Sequence, residues 1–216
     1  MKKKLSVITL EKQVLPALIL AIFLFTACRE VKEEGKYDNW RPRNTAYIDS
    51  LKKEVVFNTE IATVEQAAAM NIGQLYAIRD LMAGTDKNEA YIYCKKLLAN
   101  PDGVRPLYTS TVKVFYYGTL ITGDSFDGNF KGYSLLDQGT LSTTDPDKLP
   151  TDYNAPASFA VNGVVTGWVT ALQYMRQGER WMIYLPYTSA YGKEGNSTIP
   201  GYSTLGFDVI LDSVIE

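Results

Sequence analysis

The sequence contains no histidine among its 216 residues. This absence excludes Ser-His-Asp and Cys-His catalysis, histidine metal sites and a histidine pH switch. Only two cysteines are present, Cys28 and Cys94, which are too few for a zinc site. Neither a Walker phosphate loop nor a dinucleotide glycine fingerprint occurs. The formal net charge of -2 gives no electrostatic reason to expect a nucleic acid partner. We therefore expect a protein that uses no cofactor and no metal.

What the sequence does contain fits an ordinary globular protein. Its length suits one domain, or one domain with a smaller attachment, and its apolar fraction of 46% is enough for a core. The 15 tyrosines suit half-buried strands and concave binding surfaces.

The first residues have the pattern of an export signal. Lysines at positions 2 to 4 precede an apolar run, VLPALILAIFLFTA, that is too short to span a bilayer comfortably. The run ends in small residues followed by Cys28, and so resembles a bacterial lipoprotein signal. That resemblance implies cleavage after residue 27, lipid attachment at Cys28, and a place in the cell envelope, at the periplasmic or surface face of the outer membrane. An ordinary signal peptide or a membrane anchor remains the alternative. The charged residues 28–39 are interpreted as a solvated tether.

Residues 40–88 are predicted to form a small helical region. Apolar residues recur at helical spacing over Thr45 to Phe57 and again over Thr63 to Ala83. Gly84 follows as a possible cap. These helices could complete the core, pack on the main domain, or form a homodimer.

From Glu89 the apolar period changes to two, which predicts strands. Alternating residues run through YIYCKKL, where Cys94 is interpreted as a half-buried side chain, because no histidine could activate its thiol. A second strand is predicted over Thr111 to Leu120. In FAVNGVVTGW, a β-branched pair leads through Gly167 into Trp168, which opens a helix reaching Met175. The indole is expected to form the floor of an apolar pocket.

Several segments recur together in the order of one known family. They are VKVFYYGTLITGDSFD, FAVNGVVTGWVTALQYMRQGER, YLPYTSAYG and IPGYSTLGFDVIL. Together they resemble the FKBP-type peptidyl-prolyl cis-trans isomerases, and especially their exported bacterial members. The resemblance implies an α+β fold over residues 89–216, a twisted antiparallel sheet of about five strands wrapped around a short helix.

The resemblance also implies the site. Residues implied as catalytic are Tyr116, Phe126, Asp127, Val165, Trp168 and Tyr191. Residues implied as substrate-binding are Val164, Ile199 and Phe207. The implied activity is isomerisation of Xaa-Pro bonds in exported proteins, by desolvation and hydrogen bonding, with Asp127 polar and orienting rather than acting as an acid or base.

One departure from compact family members bears on turnover. Residues 128–155 form a long insert beside the Phe-Asp pair, expected at the pocket rim as a lid, a substrate selector or decoration. Its aspartates lack the spacing of a calcium loop. The alternatives to an active isomerase are a weakly catalytic or non-catalytic peptide-binding chaperone on the same fold, and a surface lipoprotein acting through its N-terminal helices.

Overall fold

The computed structural model describes residues 35–55, 60–83 and 90–215. From Asn39 onward the chain forms a single compact unit. The predicted signal, the lipid site at Cys28 and the proposed cap at Gly84 lie outside the described residues. Within the described ranges, no helix has the length and apolar character needed to cross a bilayer.

The described elements are three α-helices, three single-turn 3-10 helices and eight strands. The α-helices are α1 (Trp40–Glu54), α2 (Val64–Ala68) and α3 (Thr166–Tyr174). The strands are β1 (Glu60–Ile61), β2 (Leu75–Arg79), β3 (Tyr91–Leu98), β4 (Thr111–Leu120), β5 (Ser125–Gly128), β6 (Ala157–Ala160), β7 (Arg180–Leu185) and β8 (Leu205–Ile215).

All described strands belong to one sheet, in the order β1-β2-β3-β7-β8-β4-β5, with β6 paired to the other end of β4. Only the short β1–β2 pair is parallel in this sheet. The predicted α+β class and antiparallel sheet are therefore confirmed. The sheet has more strands than expected because residues before position 89 contribute to its edge.

Both faces of the sheet are covered, so the central strand β7 is buried at every position. One face packs on α3, and its core includes Trp181 and Ile183 of β7. The other face packs on α1 and the insert, through Met182 and Tyr184 of the same strand. Alternate side chains of one strand thus serve two separate cores.

The helix predicted over Thr63 to Ala83 is wrong for most of its length. A capping box between Thr63 and Gln66 starts α2, which ends at Ala68. Gly73 then takes a positive φ of 78°, which breaks the helical course. Residues Leu75–Arg79 form β2 because pairing with β3 buries both of their faces, one in each core. Tertiary pairing overrides the helical spacing here.

The first predicted helix is present and begins earlier than expected, at Trp40. Its buried side chains include Ile48 and Leu51, which pack against the sheet of the same chain. This apolar face therefore completes the core, which was one of the expected roles. A homodimer through this helix stays a prediction. Its contacts would have to come from the residues of α1 that do not face the sheet.

The insert packs on the face of the sheet opposite α3. Its Tyr133 and Leu135 are buried in the same core as α1. Beneath it, Arg180 Nε donates to Asp208 Oδ1 at 2.8 Å, and Asp208 Oδ2 accepts from the Tyr133 N–H at 2.8 Å. Arg180 also donates to the Lys148 carbonyl at 2.7 Å. A buried ion pair thus fixes the insert to the face opposite α3.

Candidate active site

Trp168 lies in the first turn of α3 and is 4% exposed. Three aromatic rings meet its indole edge-on. The centroid distances are 5.5 Å to Tyr116, 5.9 Å to Phe159 and 5.3 Å to Phe207. Edge-to-face geometry is favourable because each ring edge meets the negative face of the next. The indole is therefore held in place by the three surrounding rings as well as by the helix that carries it.

The backbone places this helix close against the sheet. At Gly167 an added Cβ would lie 2.5 Å from Leu185 Cδ2 and 2.9 Å from the Ser189 carbonyl oxygen, so only glycine fits there. The Val165 carbonyl accepts from the N–H groups of Trp168 and Val169. The turn predicted at Gly167 is thus a close packing contact, with Val165 immediately before the helix.

Strands β4 and β8 carry the opposite wall. Gly118 on β4 pairs with Phe207 on β8, and its missing side chain leaves room for two rings. Those rings, Phe126 and Phe207, pack edge-on with centroids 5.5 Å apart. Phe126 thus supports the Phe207 ring against Trp168.

The polar groups of the site lie at its rim. Burial raises the pKa of the Tyr116 phenol above its ordinary value, and the neighbouring Asp127 carboxylate raises it further, with a smaller contribution from Tyr191. One Asp127 oxygen also accepts from the Gly128 N–H at 2.8 Å. Tyr191 is 41% exposed. Tyr116 therefore remains a neutral hydrogen-bond donor throughout the physiological pH range.

These residues enclose a cleft of about 470 Å³. Its lining consists of Tyr116, Asp127, Phe159, Gly163, Val164, Val165, Trp168, Tyr191 and Phe207. Most of the residues expected at the site are thus brought together. Phe126 and Ile199 belong to the surrounding core instead, and Ile199 is 2% exposed.

Sequence reasoning missed Phe159 and Gly163 as lining residues. Phe159 lies on β6, where Val112 of β4 is its partner, and its ring centroid is 5.7 Å from that of Tyr116. Its ring forms a further aromatic wall beside Trp168. The alternation of Phe159 with the buried Val161 was a usable signal.

The chemistry of the cleft follows from this lining. Its floor and walls are aromatic, and Asp127 is the one lining residue that is charged at neutral pH. In the described part of the chain, no cluster of three or more acidic or cysteine side chains is arranged to hold a metal ion. The arrangement suits an apolar ring, and it defines an α+β domain with an aromatic cleft.

Comparison with known proteins identifies the family of this chain. Residues 103–212 match the model of the FKBP-type peptidyl-prolyl cis-trans isomerases. This match spans half of the chain, and the chain belongs to that family.

Individual relatives support this family assignment. The FKBP-type 22 kDa peptidyl-prolyl cis-trans isomerase of Escherichia coli is 34% identical over 121 residues, covering 56% of this chain and 48% of the relative. Outer membrane protein MIP of Legionella longbeachae is 32% identical over 120 residues, covering 55% and 42%. The crystal structure of FkpA from Escherichia coli superposes with a TM-score of 0.51 at 25% identity, covering 99% of this chain and 75% of that one. The chain spans about half the length of the curated relatives named here.

Proposed function

We propose that this protein is a peptidyl-prolyl cis-trans isomerase that acts on Xaa-Pro bonds of exported polypeptides. The observation that carries the proposal is the aromatic cleft, in which Tyr116, Phe159 and Phe207 surround the buried face of Trp168. The cleft is of a size and polarity to take a pyrrolidine ring.

The reaction needs a dry site more than it needs proton transfer. Rotation about a peptide bond breaks amide resonance across a barrier of roughly 18–20 kcal/mol. The twisted transition state is less dipolar than the planar amide. A weakly solvating cleft therefore destabilises the planar form relative to the twisted one. No enzyme base and no covalent intermediate are required, which agrees with a sequence that lacks histidine.

Hydrogen bonds would orient the peptide in the cleft. Val165 precedes the first turn of α3, where backbone N–H groups have no intrahelical acceptor, so its N–H is assigned to a substrate carbonyl. The exposed hydroxyl of Tyr191 is assigned to a second carbonyl. Asp127 orients the Tyr116 hydroxyl and makes the rim polar.

The remaining predicted residues take supporting roles in this proposal. Phe207 and Val164 contact the proline ring and its neighbours from the lining. Phe126 and Ile199 hold that lining from the core behind it.

A binding module without turnover is the alternative function. The long insert was the feature that favoured it, because a lid at the rim could block the cleft. The packing of Tyr133 and Leu135 on the opposite face of the sheet removes that support. The geometry of the cleft therefore favours turnover.

We further propose that the protein is lipid-anchored at Cys28 in the bacterial cell envelope. The apolar run that ends at this cysteine supports the anchor, and a relative named as an outer membrane protein supports the location. Labelling of cells with a fatty acid should mark the wild type and leave a Cys28→Ala variant unlabelled. Label on both proteins would contradict the anchor.

A protease-coupled assay on Xaa-Pro peptides tests the enzymatic activity. A folded protein should accelerate isomerisation well above the uncatalysed rate, and Asp127→Ala should lower the rate without unfolding the chain. A folded wild type that gives only the background rate would refute the isomerase and favour the binding module.

A further inference from the structure

We infer that Asp80 is a positioning residue for the isomerase site, acting through the start of α3. The inference rests on the proposed function. Asp80 lies outside residues 103–212, the part of the chain that matches the family. It follows β2, the second strand from one edge of the sheet, which also lies outside that match. An accessory segment therefore contributes to the geometry of the cleft.

The Asp80 carboxylate is fully buried and is held by donors from two elements. Its Oδ2 accepts from Thr166 Oγ1 at 2.8 Å, and its Oδ1 accepts from Thr170 Oγ1 at 3.0 Å. Oδ1 also accepts from the N–H groups of Met82 and Ala83, at 3.0 and 3.2 Å. A buried carboxylate is costly unless it is well hydrogen-bonded, and these donors satisfy it.

The backbone of Asp80 is fixed to the sheet. Its N–H donates to the Ala90 carbonyl at 2.8 Å, and the preceding residue, Arg79, is paired with Tyr91 of β3. The carboxylate is therefore a rigid extension of the sheet edge. Its negative charge near the N-terminal turn of α3 also interacts favourably with the helix dipole.

The two threonines lie on one side of α3. They are four residues apart, so their side chains lie on the same face of the helix. Trp168 lies two residues after Thr166, which places it about 200° around the helix axis, at 100° per residue. Asp80 thus holds the side of α3 opposite the indole and resists rotation of the helix about its axis.

Thr166 is the residue through which this contact reaches the site. It is the first residue of α3 and directly follows Val165, whose N–H is assigned to the substrate. Loss of the Thr166 hydroxyl would leave both Val165 and Trp168 less firmly placed. Thr170 shares the same carboxylate but lies one turn farther from Val165.

This difference provides a matched pair of variants. Thr166→Val and Thr170→Val each remove one hydroxyl donor to Asp80 at nearly constant volume, so both should lower the melting temperature by similar amounts. Thr166→Val should lower kcat/KM about fivefold, as expected for one hydrogen bond. Thr170→Val should stay within about twofold of the wild type. Thr166→Ser keeps the hydroxyl and should restore kcat/KM.

The measurements are peptide turnover, thermal unfolding, and the shift of the Val165 amide resonance as an Ala-Pro-containing peptide is added to the full-length protein. Equal kinetic losses in the two valine variants, or no rescue by serine, would overturn the inference while leaving the isomerase intact. If the wild type binds peptide without turnover, the proposed isomerase fails, and peptide affinities from the amide shifts decide between the same variants. A wild type that neither binds nor turns over peptide overturns both the proposed isomerase and the positioning role of Asp80.

Discussion

Replacing Gly118 with alanine tests whether the shape of the aromatic cleft controls activity. The new Cβ would lie 2.7 Å from Phe126 Cζ and 2.9 Å from Phe207 Cε1. The first distance is about 0.7 Å short of the 3.4 Å at which ordinary contact begins. Because Phe207 lines the cleft and Phe126 packs behind it, the two rings must move toward Trp168 or outward. Overpacking of this kind costs about 1–3 kcal/mol of stability.

The effect on catalysis should exceed the effect on folding. A displacement near 1 Å at a positioned site costs up to about a hundredfold in rate, so the displacement here should lower kcat/KM on the order of tenfold. The assay is isomerisation of a proline peptide, together with urea unfolding to obtain the free energy of unfolding. Gly118 itself contacts no substrate in this proposal, so a loss must come from the displaced rings.

Gly206 provides the matched control. It lies on β8 beside Gly118's partner, Phe207, but an added Cβ would meet Leu135 of the insert at 2.1 Å, on the opposite face of the sheet. Gly206→Ala should therefore destabilise the fold by a comparable amount and leave kcat/KM within about threefold of the wild type. Turnover of Gly118→Ala within twofold of the wild type, or equal kinetic losses in the two variants, would refute the proposed role of the rings.

Other predictions concern Trp168 at the floor of the cleft, Asp127 at its rim, the thiol of Cys94 and the stability of the fold at alkaline pH. Trp168→Ala should abolish most turnover and cost about 3–5 kcal/mol of stability. Asp127→Ala should lower turnover and leave the urea midpoint nearly unchanged, since Asp127 is exposed. An unchanged kcat/KM in both variants would contradict the proposed site. Cys94 is buried and its thiol pKa is raised by burial, so a thiol reagent should label it only after unfolding, and rapid labelling of the native protein would refute this packing. Burial also raises the pKa values of Tyr47 and Tyr184, so the folded state retains protons that the unfolded state loses, and the free energy of unfolding should fall as pH rises above about 10. A urea midpoint that is constant from pH 8 to 11 would contradict that packing, and phenylalanine at both tyrosines should reduce the slope.

Much of the site was predictable because its residues lie in short local patterns. The strand Thr111–Leu120 has the predicted bounds, and the helix predicted from Trp168 to Met175 is present over Thr166–Tyr174, so that it begins two residues early and includes Gly167. Trp168 is the buried floor that the helical spacing predicted. The lining residues were expected from their family resemblance, and their catalytic roles remain proposals.

Other features were not predictable from local pattern. Leu75 and Ile78 have the spacing of a helix face, yet they lie on opposite faces of β2, because this segment pairs with the backbone of β3. The insert was expected at the cleft rim, and its position on the opposite face depends on long-range contacts, the packing of Tyr133 and Leu135 and the bond from the Tyr133 N–H to Asp208. Phe159 was overlooked because its role depends on the two rings that it meets.

The sequence by itself determined what the site is made of. It excluded histidine chemistry and placed an indole at a helix start, because composition and short-range periodicity are properties of the chain alone. The aromatic set around that indole was implied by the family resemblance. Tertiary structure decided which partners those residues meet. Asp80 lies eighty-six residues from Thr166 in the chain and 2.8 Å from it in space, and no local pattern encodes such a contact. Pairing of β2 with β3 brings the two together, so a segment outside the family match contacts the start of the helix that carries Trp168.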